Sequence, residues 1–198
     1  LDALASAIPA GSNGLTVSGN RFDSRAAHTF AGPLTVNSCA YWARFDEDGA
    51  AYSFGDAGNA ILLNGGALVR QAGDRILASR TIALGEGGGM IAGTSTVHAR
   101  ITGEGLLTIG NMSSGAGSVT VTIANPGNDY AGGTFLLSAS GDRIDGRLAV
   151  TPEGSLGTGD LLVNADLLAT LQGNANLAPG ATAQVAMNGR IRFEGAEP

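Results

Sequence analysis

Lysine is missing from this chain altogether: its 11 basic residues are all arginine, set against 17 acidic ones for a net charge of −6. Phosphate binding needs clustered basic side chains, so this balance argues against a nucleic-acid partner. Arg70, Arg75 and Arg80 are evenly spaced, but glycine and aliphatic residues surround them without interleaved aromatics; they read as solvated turn positions. Charge is scarce overall at 14%, where soluble domains carry about 25%, so Ser, Thr, Asn and Gly must cover much of the surface. The single cysteine, Cys39, excludes an internal disulfide. Its apolar setting makes it a small buried hydrophobe rather than a nucleophile, and His28 and His98 stand isolated in the sequence. No apolar run reaches the roughly 18 residues that span a bilayer. Residues 1–10 lack the basic and continuous apolar parts of a leader, and the chain does not open on Met. We expect a mature or excised piece of a longer, exported protein.

What the chain has in abundance is glycine, 32 residues in 198, beside 43% hydrophobic but only 5% aromatic residues. Glycine at that level penalises helix and favours tight turns. Short apolar stretches recur between turns such as Asn64-Gly65-Gly66, Gly85-Glu86-Gly87-Gly88-Gly89, Gly103-Glu104-Gly105 and Asn188-Gly189. Strands are expected near residues 15–17, 30–36, 41–45, 51–54, 60–63, 67–69, 75–77, 81–84 and 90–91. Further along they are expected near 96–101, 106–109, 119–123, 134–137, 147–150, 161–163, 167–171, 183–187 and 190–193. Val119-Thr120-Val121-Thr122-Ile123 alternates cleanly, three aliphatics on one face and two threonines on the other. The fold class is therefore all-β. A parallel β-helix, whose narrow core fills with Val, Ile, Leu and Ala, suits the scarcity of aromatics better than the alternative, a β-sandwich. Residues 1–55 are expected to form an irregular initial coil or N-terminal cap, and residues 56–198 the repeat region, with the best repeat over 124–171.

Two motifs sharpen that reading. Asn128-Asp129-Tyr130-Ala131-Gly132-Gly133-Thr134 resembles the N-x-Y-x-G-G-T signature of autotransporter-associated β-strand repeats. Gly154-Ser155-Leu156-Gly157-Thr158-Gly159, followed by the apolar 161–163, resembles the A-L-G-x-G segment that closes such a repeat. The link between them departs from the family pattern, because residues 138–143 lengthen it. The resemblance implies a right-handed parallel β-helix of the passenger type, exported and extracellular or attached to the outer-membrane surface of a bacterium. It implies structural roles for Asn128, Tyr130, Gly132, Gly133, Thr134, Leu156, Gly157 and Gly159, and transfers no catalytic residue. Tyr130 is expected to cover the end of a coil, with the glycines turning the backbone and Thr134 starting a strand.

Candidate chemistry is thin. Asp46-Glu47-Asp48 is the sole dense acidic cluster. It reads as a solvated turn, with a Ca²⁺ loop as the weaker reading and paired-carboxylate acid/base catalysis weaker still. Tyr41-Trp42 is the only aromatic pair; core or cap packing is favoured over a sugar-stacking platform. Residues 85–89 lack the spacing, the Lys and the following helix of a phosphate loop. The expected function is a non-enzymatic structural or adhesive segment without cofactor. Its partners would be surface glycans, host or neighbouring-cell surfaces, or copies of itself. The alternatives are a polysaccharide-acting enzyme or glycan-binding module on the same scaffold, and a self-assembling filament subunit.

Overall fold

The computed structural model describes residues 2–4, 8–11, 13–48, 50–110, 112, 119–137, 146–164, 167–173, 176–186 and 189–194. The lengthened link at 138–143 and a glycine-rich turn at 115–118 lie outside these residues.

Among the described residues there is no helix, and every ladder between strands is parallel. The strands form three sheets: the largest extends from residue 2 to residue 185, the second from 13 to 103 and the third from 75 to 193. The largest holds nine strands: β1 (Asp2–Leu4), β3 (Arg21–Ser24), β5 (Ala40–Arg44), β7 (Gly66–Ala72), β10 (Gly89–Ala92), β13 (Leu107–Gly110), β15 (Thr134–Leu136), β17 (Leu161–Val163) and β19 (Ala183–Val185). A second holds β2 (Asn13–Ser18), β4 (Ala31–Asn37), β6 (Ile61–Asn64), β9 (Thr81–Leu84) and β12 (Arg100–Gly103). The third holds β8 (Arg75–Ile76), β11 (Ser95–Val97), β14 (Val119–Ile123), β16 (Gly146–Val150), β18 (Leu168–Leu171) and β20 (Arg190–Phe193). The chain alternates between the first two sheets up to β7, rotates through all three from β7 to β13, and then alternates between the first and third, so each circuit stacks on the one before. This is a three-faced parallel β-helix, and the face-to-face sandwich is overturned, since hairpin pairing between successive strands is absent among the described ladders.

The core is a set of stacked aliphatic rows. Tyr41, Leu68, Ile91, Ile109, Leu136 and Val163 are successive partners across the nine-stranded sheet, all at most 1% exposed. Ile76, Val97, Ile123, Val150 and Leu171 form the matching row in the third sheet, and Leu34, Ile61, Ile82 and Ile101 in the second. Each such side chain contributes about 1.5–3 kcal/mol by leaving water. A coil alone has nothing to bury them against, which is why coils fold only in a stack.

Circuit length varies. Ile91 pairs with Ile109, 18 residues on, whereas Ile109 pairs with Leu136, 27 residues on. The corners absorb the difference. One excursion, residues 45–60, lies between β5 and β6 without forming a strand, so the strand expected near 51–54 is absent. Phe54 there turns inward against Phe45 at 5.2 Å between ring centroids and Tyr41 at 6.4 Å. The narrow aliphatic core expected throughout is thus aromatic in the early coils, where seven of the ten aromatic residues precede residue 55. The strand expected over 96–101 is two, β11 and β12, folded about a corner at His98-Ala99. The segment expected to cap or begin the helix, residues 1–55, supplies β1, β3 and β5 to the nine-stranded sheet and β2 and β4 to the five-stranded one.

Candidate functional site

The acidic run does not converge on one point. Asp46 is fully buried, and its carboxylate grips Arg80, also fully buried, in a bidentate pair: Nε to Oδ2 at 2.6 Å and Nη2 to Oδ1 at 2.9 Å. The Tyr52 and Leu77 amides donate to the same oxygens. Arg80 also donates Nη1 to the Asp56 carbonyl at 2.7 Å and to Phe54 O, and Nη2 to Gly55 O at 3.0 Å. Every oxygen of Asp46 and most donors of Arg80 are thereby used to fasten the 45–60 excursion. Arg80, expected at a solvated turn, is instead the largest fully buried side chain among the described residues. Glu47 faces outward to Arg44 Nη2 at 3.0 Å and to the Tyr52 hydroxyl at 3.3 Å. Asp48 stands in solvent, its side chain 92% exposed, against Arg75. Three consecutive carboxylates thus occupy a core, a flank and open water, and one Ca²⁺ or one glycosidic bond cannot be shared among them. Among the described residues no three His, Cys, Asp or Glu side chains gather as a metal site.

The aromatic pair also divides, as alternation along β5 dictates. Tyr41 points inward, is fully buried, and donates its hydroxyl to Ser53 O at 2.7 Å; burial pushes its phenol well above the usual range. It is closed to a ligand. Trp42 points outward, but the Arg21 guanidinium lies over its ring at 4.1 Å. That contact occupies the stacking face a sugar would use.

A serine–histidine pair invites scrutiny, because Ser24 Oγ lies 2.6 Å from His28 Nε2. The Ile8 amide donates to His28 Nδ1 at 3.0 Å, so in the neutral ring the proton sits on Nε2 and is donated to Ser24. A general base would need that nitrogen empty. Ser24 is fully buried as well, and burial pulls the imidazole pKa down. The pair holds the Ile8 segment to the helix.

The family-like motif is a corner device. Asn128, 7% exposed, accepts from the Ile101 amide one coil away at 2.7 Å and donates to Ser155 O in the opposite coil at 2.8 Å. Tyr130 is enclosed between coils rather than covering an end, with its hydroxyl 2.6 Å from Thr134 Oγ1. Thr134 starts β15 as expected. A Cβ on Gly132 would sit 2.4 Å from the Gly105 carbonyl carbon, and one on Gly159 2.5 Å from Ala131 O. Gly133 needs a φ of 83°, and at Gly157, with a φ of 30°, a Cβ would meet Tyr130 O at 2.1 Å. Leu156, 1% exposed, bridges in parallel to Leu177 of the following coil.

Two equivalents of Asn128 escaped the sequence reading. Asn59 binds Gly32 N, Phe30 O and Phe54 O, and Asn176 binds Gly173 N, Thr151 O and Gly154 O. The legible signal was an Asn just ahead of an apolar residue that enters the core: Asn59-Ala60-Ile61, Asn128-Asp129-Tyr130, Asn176-Leu177.

The outside of the nine-stranded sheet carries a groove and a smaller cleft. A groove of about 430 Å³ is floored by small and apolar residues including Ala67, Met90, Leu106 and Met112. Cys39 borders it, 4% exposed, with its thiol pKa raised by burial. A smaller cleft of about 370 Å³ lies between Arg25, Arg44, Gln71 and Ala72. Compared with protein-family models, curated proteins and solved structures, the chain matches none of them. No helix of the described residues is long and apolar enough to cross a membrane.

Proposed function

We propose that this chain is a non-enzymatic structural and adhesive segment of a secreted or cell-surface β-helical protein. The observation that carries the reading is where the reactive side chains go. Asp46, Arg80, Ser24, His28 and the corner asparagines all bind backbone or one another inside the stack. What is left outside is a stiff rod with outward rows of Thr, Ala and scattered charge. The resemblance of residues 128–134 to autotransporter repeats supports an extracellular setting, and a rod of stacked coils suits projection from a surface. A polysaccharide-acting enzyme using Asp46, Glu47 and Asp48 on one face is disfavoured because Asp46 is sealed behind Arg80 while Glu47 and Asp48 pair outward with Arg44 and Arg75.

The test presents the chain on beads over immobilised neutral and acidic glycans, alongside turnover assays on the same glycans. Retention of beads without sugar release is expected. Sugar release that survives purification, or beads that slide off every surface, sinks the proposal. A second reading, self-association, is favoured by the exposed Val185 and Phe193 on β19 and β20, the outermost described strands of two sheets. Light scattering that rises with concentration, and subsides in Phe193→Asp, is its expected signature.

A further inference from the structure

The cleft between Arg25 and Arg44 is a built feature rather than an accident of surface roughness. Its residues come from three successive coils of the nine-stranded sheet. Arg25 follows β3, Arg44 ends β5, and Gln71 and Ala72 end β7. The register between β5 and β7 shifts here: Ala43 pairs with Arg70 but Arg44 pairs with Ala72, which leaves Gln71 as the extra residue of a bulge. A bulge re-aims its unpaired side chain, and Gln71 Oε1 accepts from Arg25 Nε at 2.8 Å. That bond reaches over the intervening coil, so Arg25 and Gln71 form the two walls and Arg44 the floor.

Charge is unbalanced in the cleft. Arg44 lies flat on the Tyr52 ring, 3.8 Å from its centroid, and gives Nη2 to Glu47. Its Nε is buried without a hydrogen-bond partner. Arg25 makes no ion pair among the described residues. Two guanidiniums therefore face one carboxylate, in a chain whose net charge is −6. Arginine presents paired N–H groups that match a carboxylate or sulfate in a fork, and an anion between two such forks removes their mutual repulsion. The Gln71 amide, its oxygen engaged by Arg25, keeps Nε2 as a further donor. About 370 Å³ is room for one pyranose ring, at the low end of ligand-pocket sizes.

We propose that this cleft binds the oxyanion of a sugar acid, a carboxylate carried on a pyranose ring, with Arg25 and Arg44 as the anion-binding pair and Gln71 as the ring-side donor. Its purpose rests on the adhesive reading, since a uronate within an acidic glycan would be the natural form of such a ligand; its chemistry does not.

The full chain is titrated with sodium glucuronate, sodium sulfate and glucose at constant ionic strength, reading arginine Nε–Hε and glutamine side-chain signals by NMR. Glucuronate should saturate in the millimolar range and shift Arg25, Arg44 and Gln71 together. Arg25 is exposed, so R25Q should leave the melting curve unchanged while weakening glucuronate about tenfold, the loss of one charge-assisted contact. Q71A should weaken it less and abolish any preference of glucuronate over sulfate. Equal shifts with glucose, no saturation by glucuronate, or affinity unchanged in R25Q would overturn the proposal. Tighter binding of sulfate than of glucuronate would overturn the sugar-acid part and leave a simple oxyanion site. Saturable glucuronate binding together with failure of the bead assay would retain the cleft and reject adhesion.

Discussion

Replacing Arg80 by Met tests how the 45–60 excursion is held. The substitution keeps volume and removes every donor. Asp46 is then a buried carboxylate without its partner, a situation that costs about 3–5 kcal/mol. Gly55 O, in the interior, also loses the guanidinium at 3.0 Å, at about 1–3 kcal/mol for the orphaned group, while Phe54 O keeps the Asn59 amide at 3.2 Å. These terms overlap, so a loss of at least about 4 kcal/mol is expected, a large share of the roughly 5–15 kcal/mol that holds a domain together. Urea unfolding followed by far-UV circular dichroism reads it. The double variant Asp46→Leu with Arg80→Met removes the stranded charge and should regain part of the loss, a coupling of about 1–3 kcal/mol. It cannot regain all of it, because Tyr52 N, Leu77 N and Gly55 O lose these partners in the double variant as well. A single-variant loss under about 1 kcal/mol, the value of a surface ion pair, would refute the reasoning. So would a double variant as stable as the parent.

His28 must stay neutral to accept from Ile8, and its folded pKa lies below the ordinary 6.5. Its contribution is therefore complete above that value and lost as pH falls through it towards the folded pKa, at up to about 1.4 kcal/mol per pH unit; His28→Gln should flatten the stability profile between pH 7 and 5, roughly the range over which histidine titrates. Asn128→Ala strands the Ile101 amide and the Ser155 carbonyl and should cost about 2–4 kcal/mol in denaturant, with earlier hydrogen exchange at both coils. Gly157→Ala drives a Cβ onto Tyr130 O and should cost about 2–4 kcal/mol, whereas Gly180→Ala, whose Cβ meets nothing within 4 Å, should cost only the left-handed backbone term of about 1–2 kcal/mol. Equal melting temperatures for the two glycine variants would show that close stacking of the corners carries no energy.

The parallel stack was legible because its strands carry their own signal. Residues 119–123, 161–163 and 190–193 were bounded as they fold, since aliphatic alternation and flanking turns are local properties. β3 escaped because Arg21 and Asp23 broke the apolar pattern; in the structure they pair with each other on the outer face at 2.8 Å. Arg80 was misplaced for the same kind of reason. Its burial is decided by Asp46, 34 positions back, and by an excursion whose carbonyls turn inward. Nothing within several residues of Arg80 announces this. The acidic run looked like a site because adjacent carboxylates are close in sequence, yet alternation and a bend send neighbours to opposite sides of the backbone. The anion cleft was invisible because its members come from three coils and one bulge.

These failures share a cause that bears on function. In a stacked coil, inward positions and corners are coupled to the coils above and below, so each is fixed by distant residues. Outward strand positions are not so coupled. Thr96, Thr122, Ala149 and Thr170 are successive partners on the outer face of the third sheet, half-buried against one another and remote from the core rows. Such positions exchange freely at little cost to folding, since surface changes seldom exceed about 0.5 kcal/mol. Recognition can then vary on the faces while the corner asparagines and the Arg80–Asp46 clasp hold the frame. Arg25 is exposed and, among the described residues, held only by its surface bond to Gln71, whereas Arg44 is stacked on Tyr52 and paired with Glu47. A ligand gripped between them is read by a changeable residue against a fixed one, so Arg25 is the position at which specificity should shift without loss of the rod.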